Sequence, residues 1–298
     1  MTTFQDRPIV VGVDGSAASD AALDWAMEEA ASDDRPLRLV TAYSFSMADT
    51  APVATPIWED LQRAAETTVA AAAARVRAKA PTVEVITDVR RGAASAAILD
   101  AAKDAAVVVV GSRGHRPLRD ALLGSTARQV ATHAPCPTVL VRDLPDRAPA
   151  SPRRVVVGTD GSPTSDDALA YAFEQADVRG CELMVVRAWW LDLSGEGRIQ
   201  LASTTAEQLE DTYRAALARQ VADLTKRYRY VDVYSDVVRD DPATALVRLS
   251  AGADLLVVGS RGRGGFRSLL LGSVSHRVLQ LAECPVVVVR PGTATADE

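Results

Sequence analysis

The sequence has few lysines and no long apolar run, and each shortage excludes a class of protein. Lys79, Lys103 and Lys226 are the only lysines among 33 basic residues, so phosphate contacts would have to come from arginine or from backbone N–H groups. A P-loop, which requires a lysine, is therefore nearly excluded. No apolar run approaches the roughly 18 residues of a membrane span, and no signal-peptide pattern opens the chain. We expect a cytoplasmic protein that does not insert into membranes.

Cysteine is also scarce, and basic charge is in deficit. Cys136, Cys181 and Cys284 form no CxxC pair and no cluster with histidine, which favours reduced, buried thiols over disulfides or a zinc site. Acidic residues outnumber basic ones by 39 to 33, giving a net charge of −6, so no general basic field would hold nucleic acid. With 48% hydrophobic and 24% charged residues, the composition is typical of a packed globular protein.

The chain contains an internal repeat. IVVGVDGSAASDAAL at 9–23 recurs as VVVGTDGSPTSDDAL at 155–169, and VVVVGSRGHRPLRDALLGST at 107–126 recurs as LLVVGSRGRGGFRSLLLGSV at 255–274. A proline-rich stretch between the copies reads as a linker. The predicted organisation is a first domain at 1–143, a linker at 144–153 and a second domain at 154–298.

Short apolar runs alternate with helical patterns within each copy. Ser16 is the predicted N-cap of the first helix, and Ser162, followed by Pro163, is its counterpart. Alternation of this kind, with valine-rich strands, predicts a five-stranded parallel α/β sheet with helices on both faces. The strands predicted in the first copy are 9–13, 37–43, 82–89, 106–110 and 137–141, with helices near 94–103 and 123–132 among those between them.

Two glycine loops share the spacing G-x2-G-x9-G-[ST]. Glycine N–H groups can form an anion-binding nest, and the last glycine precedes a helix whose first N–H groups attract phosphate. The loops therefore predict a triphosphate cradle. An alternative stays open, in which the glycines only make turns and the serines only cap helices. The residues in this spacing are Gly111, Gly114, Gly124 and Ser125, and then Gly259, Gly262, Gly272 and Ser273.

In one common strand order, the first strand ends beside the fourth strand, which the glycine loop follows. In open parallel sheets, ligands bind outside the carboxyl ends of strands at the switch point, which strands one and four flank. Gly12 and Asp14, with Gly158 and Asp160 in the second copy, would then lie opposite the glycine loop. Asp14 could accept from a ribose hydroxyl or a base amine, or could instead be a turn carboxylate capping the first helix.

These motifs together resemble the universal stress protein family in its tandem form. The resemblance rests on VGVDGS, VVVVGSRG, the spaced glycines and CPTVLV, each with a counterpart in the second copy. It implies a Rossmann-like or flavodoxin-like fold with strand order 3-2-1-4-5, and ATP binding in the branch that has the glycine motif. It also implies dimer contacts through the final strand, hence an intrachain pseudo-dimer and a further homodimer.

Family positions extend the site. Asp14 and Asp160 match the aspartate near adenosine, and Ala42 and Ala188 match the position that lines the adenine pocket. The predicted nucleotide-binding residues, combining loops, strand ends and family positions, are Gly12, Asp14, Ala42, Gly111, Ser112, Arg113, Gly114, Gly124, Ser125 and Thr126, and Gly158, Asp160, Ala188, Gly259, Ser260, Arg261, Gly262, Arg263, Gly264, Gly265, Gly272, Ser273, Val274 and Ser275.

The two loops differ at one place. The second copy reads Arg263-Gly264-Gly265 where the first reads His115-Arg116-Pro117, and proline has no N–H to donate. We therefore predict tighter binding at the second site.

The predicted function is a cytoplasmic, ATP-binding regulatory protein with one nucleotide per domain and Mg²⁺ on the phosphates. No GxGxxG fingerprint follows the first strand and no GxSxG serine is present, so dinucleotide enzymes and serine hydrolases lack support. No general base is evident, so hydrolysis, if any, would be slow. The alternatives are a dimeric scaffold of the same fold that binds no nucleotide, and a slow ATPase. The sequence does not name the regulatory protein partner.

Overall fold

The computed structural model describes residues 7–45, 55–114, 123–142, 153–190, 203–262 and 271–292. The chain divides into two compact units, Met1–Leu144 and Pro145–Glu298. Residues 144–152 of the predicted linker lie outside the described residues, as do Arg263, Gly264 and Gly265 of the second glycine loop.

The first unit is a parallel sheet in which strands alternate with helices. Strand pairing gives the order β3-β2-β1-β4-β5, the order 3-2-1-4-5 that the family resemblance implied. The elements are β1 (Ile9–Gly12), α1 (Ala17–Asp33), β2 (Leu37–Tyr43), α2 (Thr55–Lys79), β3 (Val85–Arg91), α3 (Ala94–Ala101), β4 (Val107–Gly111), α4 (Ser125–His133) and β5 (Thr138–Val141).

The second unit repeats this plan. Its strands pair in parallel in the order β8-β7-β6-β9-β10. The elements are β6 (Arg154–Gly158), α5 (Pro163–Arg179), β7 (Glu182–Trp189), α6 (Ser203–Arg227), β8 (Val233–Arg239), α7 (Pro242–Ser250), β9 (Leu255–Gly259), α8 (Ser273–Leu281) and β10 (Val286–Val289).

The central strands form the core of each unit. Ile9–Val11 and Val107–Val110 are buried at every position, as are Val155–Val157 and Leu255–Val258 in the second unit. Side chains of successive strand residues point to opposite faces, so complete burial means that both faces of the sheet are covered. The predicted α/β class with a parallel sheet is confirmed.

The largest boundary error is at the start of the third strand, and most other predicted ends differ from the observed ones by one or two residues. The third strand begins at Val85 rather than at 82, because Val83 lies in the turn after α2, where its N–H donates to the Ala80 carbonyl at 3.1 Å. The α-helix predicted near 94–103 ends at Ala101 and continues only as a short 3-10 turn, Ala102–Asp104. An apolar residue in a turn, such as Val83, cannot be distinguished by sequence from the first residue of a strand.

The predicted helix caps and buried thiols are confirmed. Ser16 Oγ accepts the N–H of Ser19 at 3.2 Å, and Ser162 caps α5 in the same way, with proline in the first turn. All three cysteines are buried and form no disulfide. Burial and the nearby Asp254 carboxylate raise the pKa of the Cys181 thiol. Within the described part of the chain, no helix combines the length and apolar character needed to cross a membrane.

Candidate functional site

Each unit has a pocket at the carboxyl edge of its sheet, where β1 and β4, or β6 and β9, end. The pocket of the first unit has a volume of about 360 Å³ and that of the second about 520 Å³. Most predicted site residues line these pockets: Gly12, Asp14, Ala42, Gly111, Arg113, Gly114, Gly124, Ser125 and Thr126 in the first, and Gly158, Asp160, Ala188, Gly259, Arg261, Gly262, Gly272, Ser273, Val274 and Ser275 in the second.

The aspartates occupy tight turns that immediately follow the first strand of each unit. Asp14 Oδ1 accepts the Ser16 N–H at 2.9 Å and the Ser16 hydroxyl at 2.6 Å, and Gly15 between them has φ of +79°. Asp160 Oδ1 likewise accepts the Ser162 N–H at 3.0 Å. The turn role that we considered as an alternative is therefore real for one carboxylate oxygen of each aspartate.

The second carboxylate oxygen of each aspartate faces the glycine loop. A Cβ built on Gly114 would lie 2.6 Å from Asp14 Oδ2, and one on Gly262 would lie 2.6 Å from Asp160 Oδ2. A side chain at either glycine would therefore displace the carboxylate. The structure thus brings together the aspartate and the second loop glycine, which are 100 residues apart in the first unit and 102 in the second.

Backbone hydrogen bonds inside the loop correct part of the predicted phosphate cradle. The Ser112 N–H donates to the Val141 carbonyl at 2.7 Å, and the Gly124 N–H donates to the Ser112 carbonyl at 2.8 Å. Ser260 and Gly272 repeat both bonds at 2.7 and 2.8 Å. Since these N–H groups already have acceptors, they are not available to a phosphate. Ser112 and Ser260 themselves are buried and do not line the pockets.

The helix starts at the pockets provide other donors. Gly124 and Gly272 are the N-caps of α4 and α8 and have no side chain to satisfy the first turn. Ser125 and Ser273 are the first helical residues, so the alternative in which they cap their helices is wrong. The first N–H groups of a helix have no intrahelical acceptor, and they carry the positive end of its dipole.

Two glycines that we assigned to ligand approach also lie close to packed side chains. A Cβ on Gly12 would lie 2.7 Å from Ile98 Cδ1 on α3, and one on Gly158 would lie 2.6 Å from Leu246 Cδ1 on α7. Ile98 and Leu246 form part of the apolar pocket walls, and the sequence analysis missed both. Their apolar spacing on the helix after β3 or β8 was the available signal.

The second pocket also contains polar groups that the sequence analysis did not select. These groups are Thr159 and Ser165. Ser275, which was predicted, uses its hydroxyl to donate to the Gly259 carbonyl at 2.6 Å. Asp241, beside the pocket, is the N-cap of α7. Burial would raise the pKa of Asp241, but hydrogen bonds from Thr244 and the charge of Arg277 outweigh it and lower the pKa.

Comparison with known proteins places the chain among relatives of one kind. The sequence profile of the universal stress protein family matches residues 7–142 and again 152–290. A universal stress protein of Mycolicibacterium smegmatis is 38% identical over 288 residues, covering 95% of this chain and 97% of the relative. One of Mycobacterium tuberculosis is 37% identical over 304 residues, covering 95% and 96%.

A solved structure shows the same fold. The crystal structure of a universal stress protein from Archaeoglobus fulgidus superimposes with a TM-score of 0.67 at 19% identity, covering 96% of this chain and 98% of that one. The double profile match and the near-complete coverage of the relatives agree with the internal repeat. The chain therefore belongs to the universal stress protein family and carries two family domains in tandem.

Proposed function

We propose that each unit binds one ATP in its pocket and that the bound nucleotide regulates the protein's conformation or its choice of partner. The observation that carries this proposal is the convergence, in both units, of a carboxylate, a glycine loop and an uncapped helix start on one pocket. Pockets of about 300–1,000 Å³ are usual for small ligands, and both fall within that range.

The pocket residues fit the parts of a nucleotide. Ala42 and Ile98 offer an apolar surface to the base in the first unit, as Ala188 and Leu246 do in the second. The aspartate Oδ2 would accept from a ribose hydroxyl, and the N–H groups that begin α4 and α8 would receive the phosphates. Mg²⁺ would accompany the phosphates and would be held mainly by phosphate oxygens and water, since Asp14 or Asp160 is the only carboxylate among the described residues of each pocket.

We expect regulation rather than rapid turnover. Among the described pocket residues there is no histidine or lysine, and one oxygen of the Asp14 carboxylate is engaged in its own turn. A general base needs a free position within hydrogen-bond reach of the proton that it removes. We therefore propose hydrolysis that is slow or absent, a cytoplasmic location, and a pseudo-dimer and homodimer through the final strands with a regulatory protein partner.

Calorimetric titration of ATP with Mg²⁺ tests the proposal. The wild type should bind close to two ATP per chain, and Asp14→Ala and Asp160→Ala should each leave about one. Glu28→Ala, an exposed carboxylate on α1 that lines neither pocket, is the matched control and should retain two. Absence of binding by the wild type would overturn the proposal.

A dimeric scaffold that binds no nucleotide is the second candidate. The observation that favours it is that these residues have structural contacts without any ligand. Gly12 and Gly158 pack closely against Ile98 and Leu246, and one oxygen of each aspartate is used in its own turn. A silent titration together with a concentration-dependent dimer in analytical ultracentrifugation would support this candidate. Phosphate release over hours, abolished in the Asp14→Ala and Asp160→Ala double variant, would instead indicate a slow ATPase.

A further inference from the structure

The turn that carries Asp160 is held by a buried threonine hydroxyl, and the first unit has a valine at the equivalent position. Thr159 is 6% exposed, and its Oγ1 accepts the N–H of Gly161 at 3.1 Å, inside the Asp160 turn. The equivalent residue of the first unit is Val13, also buried, which has no hydroxyl. The backbone is otherwise alike, since the N–H groups of Val13 and Thr159 both donate to the second strand at 2.9 Å.

Thr159 is the inner end of a hydrogen-bonded network that reaches α6. Its Oγ1 lies 3.1 Å from Gln220 Oε1 and 2.9 Å from Ser165 Oγ, and the Ser165 hydroxyl donates to the Ser162 carbonyl at 2.7 Å. Gln220 Nε2 donates to Asp166 Oδ1 at 2.6 Å. Because a carboxylate only accepts, this last bond fixes the orientation of the Gln220 amide and turns its oxygen toward Thr159.

The described residues of the first unit form different contacts at the corresponding positions. Helices α2 and α6 are both 25 residues long, and Gln220 corresponds to Ala72, which has no polar side chain. The Asp14 turn is held by two serines instead: the Ser16 hydroxyl donates to Asp14 Oδ1, and the Oγ of buried Ser19 accepts the Asp14 N–H at 3.1 Å. Asp14 is exposed, whereas Asp160 is only partly exposed. Hydrogen bonds that are shielded from solvent rigidify a site more than exposed ones do, and the Thr159–Ser165 contact is buried.

We propose that Thr159, held by Gln220, is a positioning residue that presets the Asp160 turn for nucleotide, so that, given the proposed function of that pocket, the second site binds ATP more tightly than the first. Thr159 lines the pocket, and its bond to the Gly161 N–H fixes the residue next to Asp160. A preset turn spares the ligand the cost of ordering it. This source of asymmetry is independent of the loop residues 263–265.

The test isolates the second site in an Asp14→Ala background. Thr159→Val, which installs the first unit's side chain at almost unchanged volume, should weaken ATP binding there about tenfold, as expected for one buried hydrogen bond. Thr159→Ser keeps the hydroxyl and should restore most of the affinity. Gln220→Leu should weaken binding as Thr159→Val does, and combining the two should add little more. Gln208→Leu, on an exposed position of the same helix, should have no effect.

The outcomes separate this inference from the proposed function. ATP binding that is unchanged by Thr159→Val overturns the positioning role and leaves the proposed function intact. Equal losses in Thr159→Val and Thr159→Ser would also overturn it, because a hydroxyl role requires rescue by serine. In an Asp160→Ala background, Thr159→Val should not alter the first site. No ATP binding by the wild-type protein overturns both.

Discussion

Replacing Gly111 by alanine should destabilise the first unit much more than the equivalent change, Gly259→Ala, destabilises the second. A Cβ on Gly111 would lie 2.7 Å from the Ala18 carbonyl carbon and oxygen and 2.9 Å from the Ser19 nitrogen, all backbone atoms of α1. A Cβ on Gly259 would meet the Thr164 carbonyl only at 3.2 Å. Ordinary contacts begin near 3.4 Å, so β4 and α1 would have to move apart by several tenths of an ångström.

Two opposing effects set the magnitude. Neither glycine has φ in the left-handed region, so alanine restricts the unfolded chain and stabilises each unit by about 0.4–1 kcal/mol. Overpacking costs about 1–3 kcal/mol where the neighbour is rigid backbone. Gly111→Ala should therefore lose about 1–2 kcal/mol of unfolding free energy, whereas Gly259→Ala should stay within about 0.5 kcal/mol of the wild type.

Hydrogen exchange in increasing urea, read by mass spectrometry, measures each unit separately. This matters because two units need not unfold in one transition. Peptides from β4 and α1 should lose protection at lower urea in Gly111→Ala, and those from β9 and α5 should be almost unchanged in Gly259→Ala. The measurement is made without nucleotide. The first turn of α1, which Gly111→Ala would displace, follows the Asp14 turn, so a change in nucleotide binding would also change the protection of α1. Equal urea midpoints for the two variants would refute the packing explanation.

Two further predictions concern the ends of α1 and α5 and a salt bridge. Burial would raise the pKa of Asp24, but its hydrogen bond from Arg75 helps to lower it below the ordinary value of 3.8. The stability that this pair contributes is therefore present above about pH 4 and is lost as the pH falls through the lowered pKa of Asp24. Arg75→Met should cost about 0.5 kcal/mol at pH 7 and progressively less as the pH falls below about 4, with Arg77→Met as the control. Asp34 caps α1 with φ of +53°, where α5 has Gly180 at +55°. Asp34→Gly should raise, and Gly180→Asp should lower, the stability of the respective unit by about 1 kcal/mol in urea unfolding.

The sequence was sufficient to predict the fold and the helix starts. Valine runs and helical spacing are local patterns, and Ser16 and Ser162 act on N–H groups three residues away. Because the sequence repeats, each element could be predicted from two independent stretches of the chain. The start of the third strand was misplaced because Val83 is apolar and buried although it lies in a turn.

The candidate site was less predictable because its properties depend on distances between remote residues. The spacing of the glycines indicated a loop, but the need for Gly111 follows from its approach to Ala18, which spacing does not encode. Nor did the sequence show that Gly124 donates to Ser112. Comparison of the copies did contain a signal that was not used, namely a threonine at 159 where the first copy has valine.

The two units can be compared with each other because the hydrogen bonds of their glycine loops and the geometry of their aspartate turns match. The loop bonds of Ser112 and Gly124 have the same lengths as those of Ser260 and Gly272, and both Asp-Gly-Ser turns place glycine at positive φ. Besides the closer approach of β4 to α1 at Gly111, a difference in affinity between the pockets can come from side chains or from the loop segments outside the described residues. Among the side chains, Thr159 touches both the pocket and the turn of the aspartate, and its effect depends on Gln220 across the unit. Affinity can thus differ between two copies of one motif without any change in the motif.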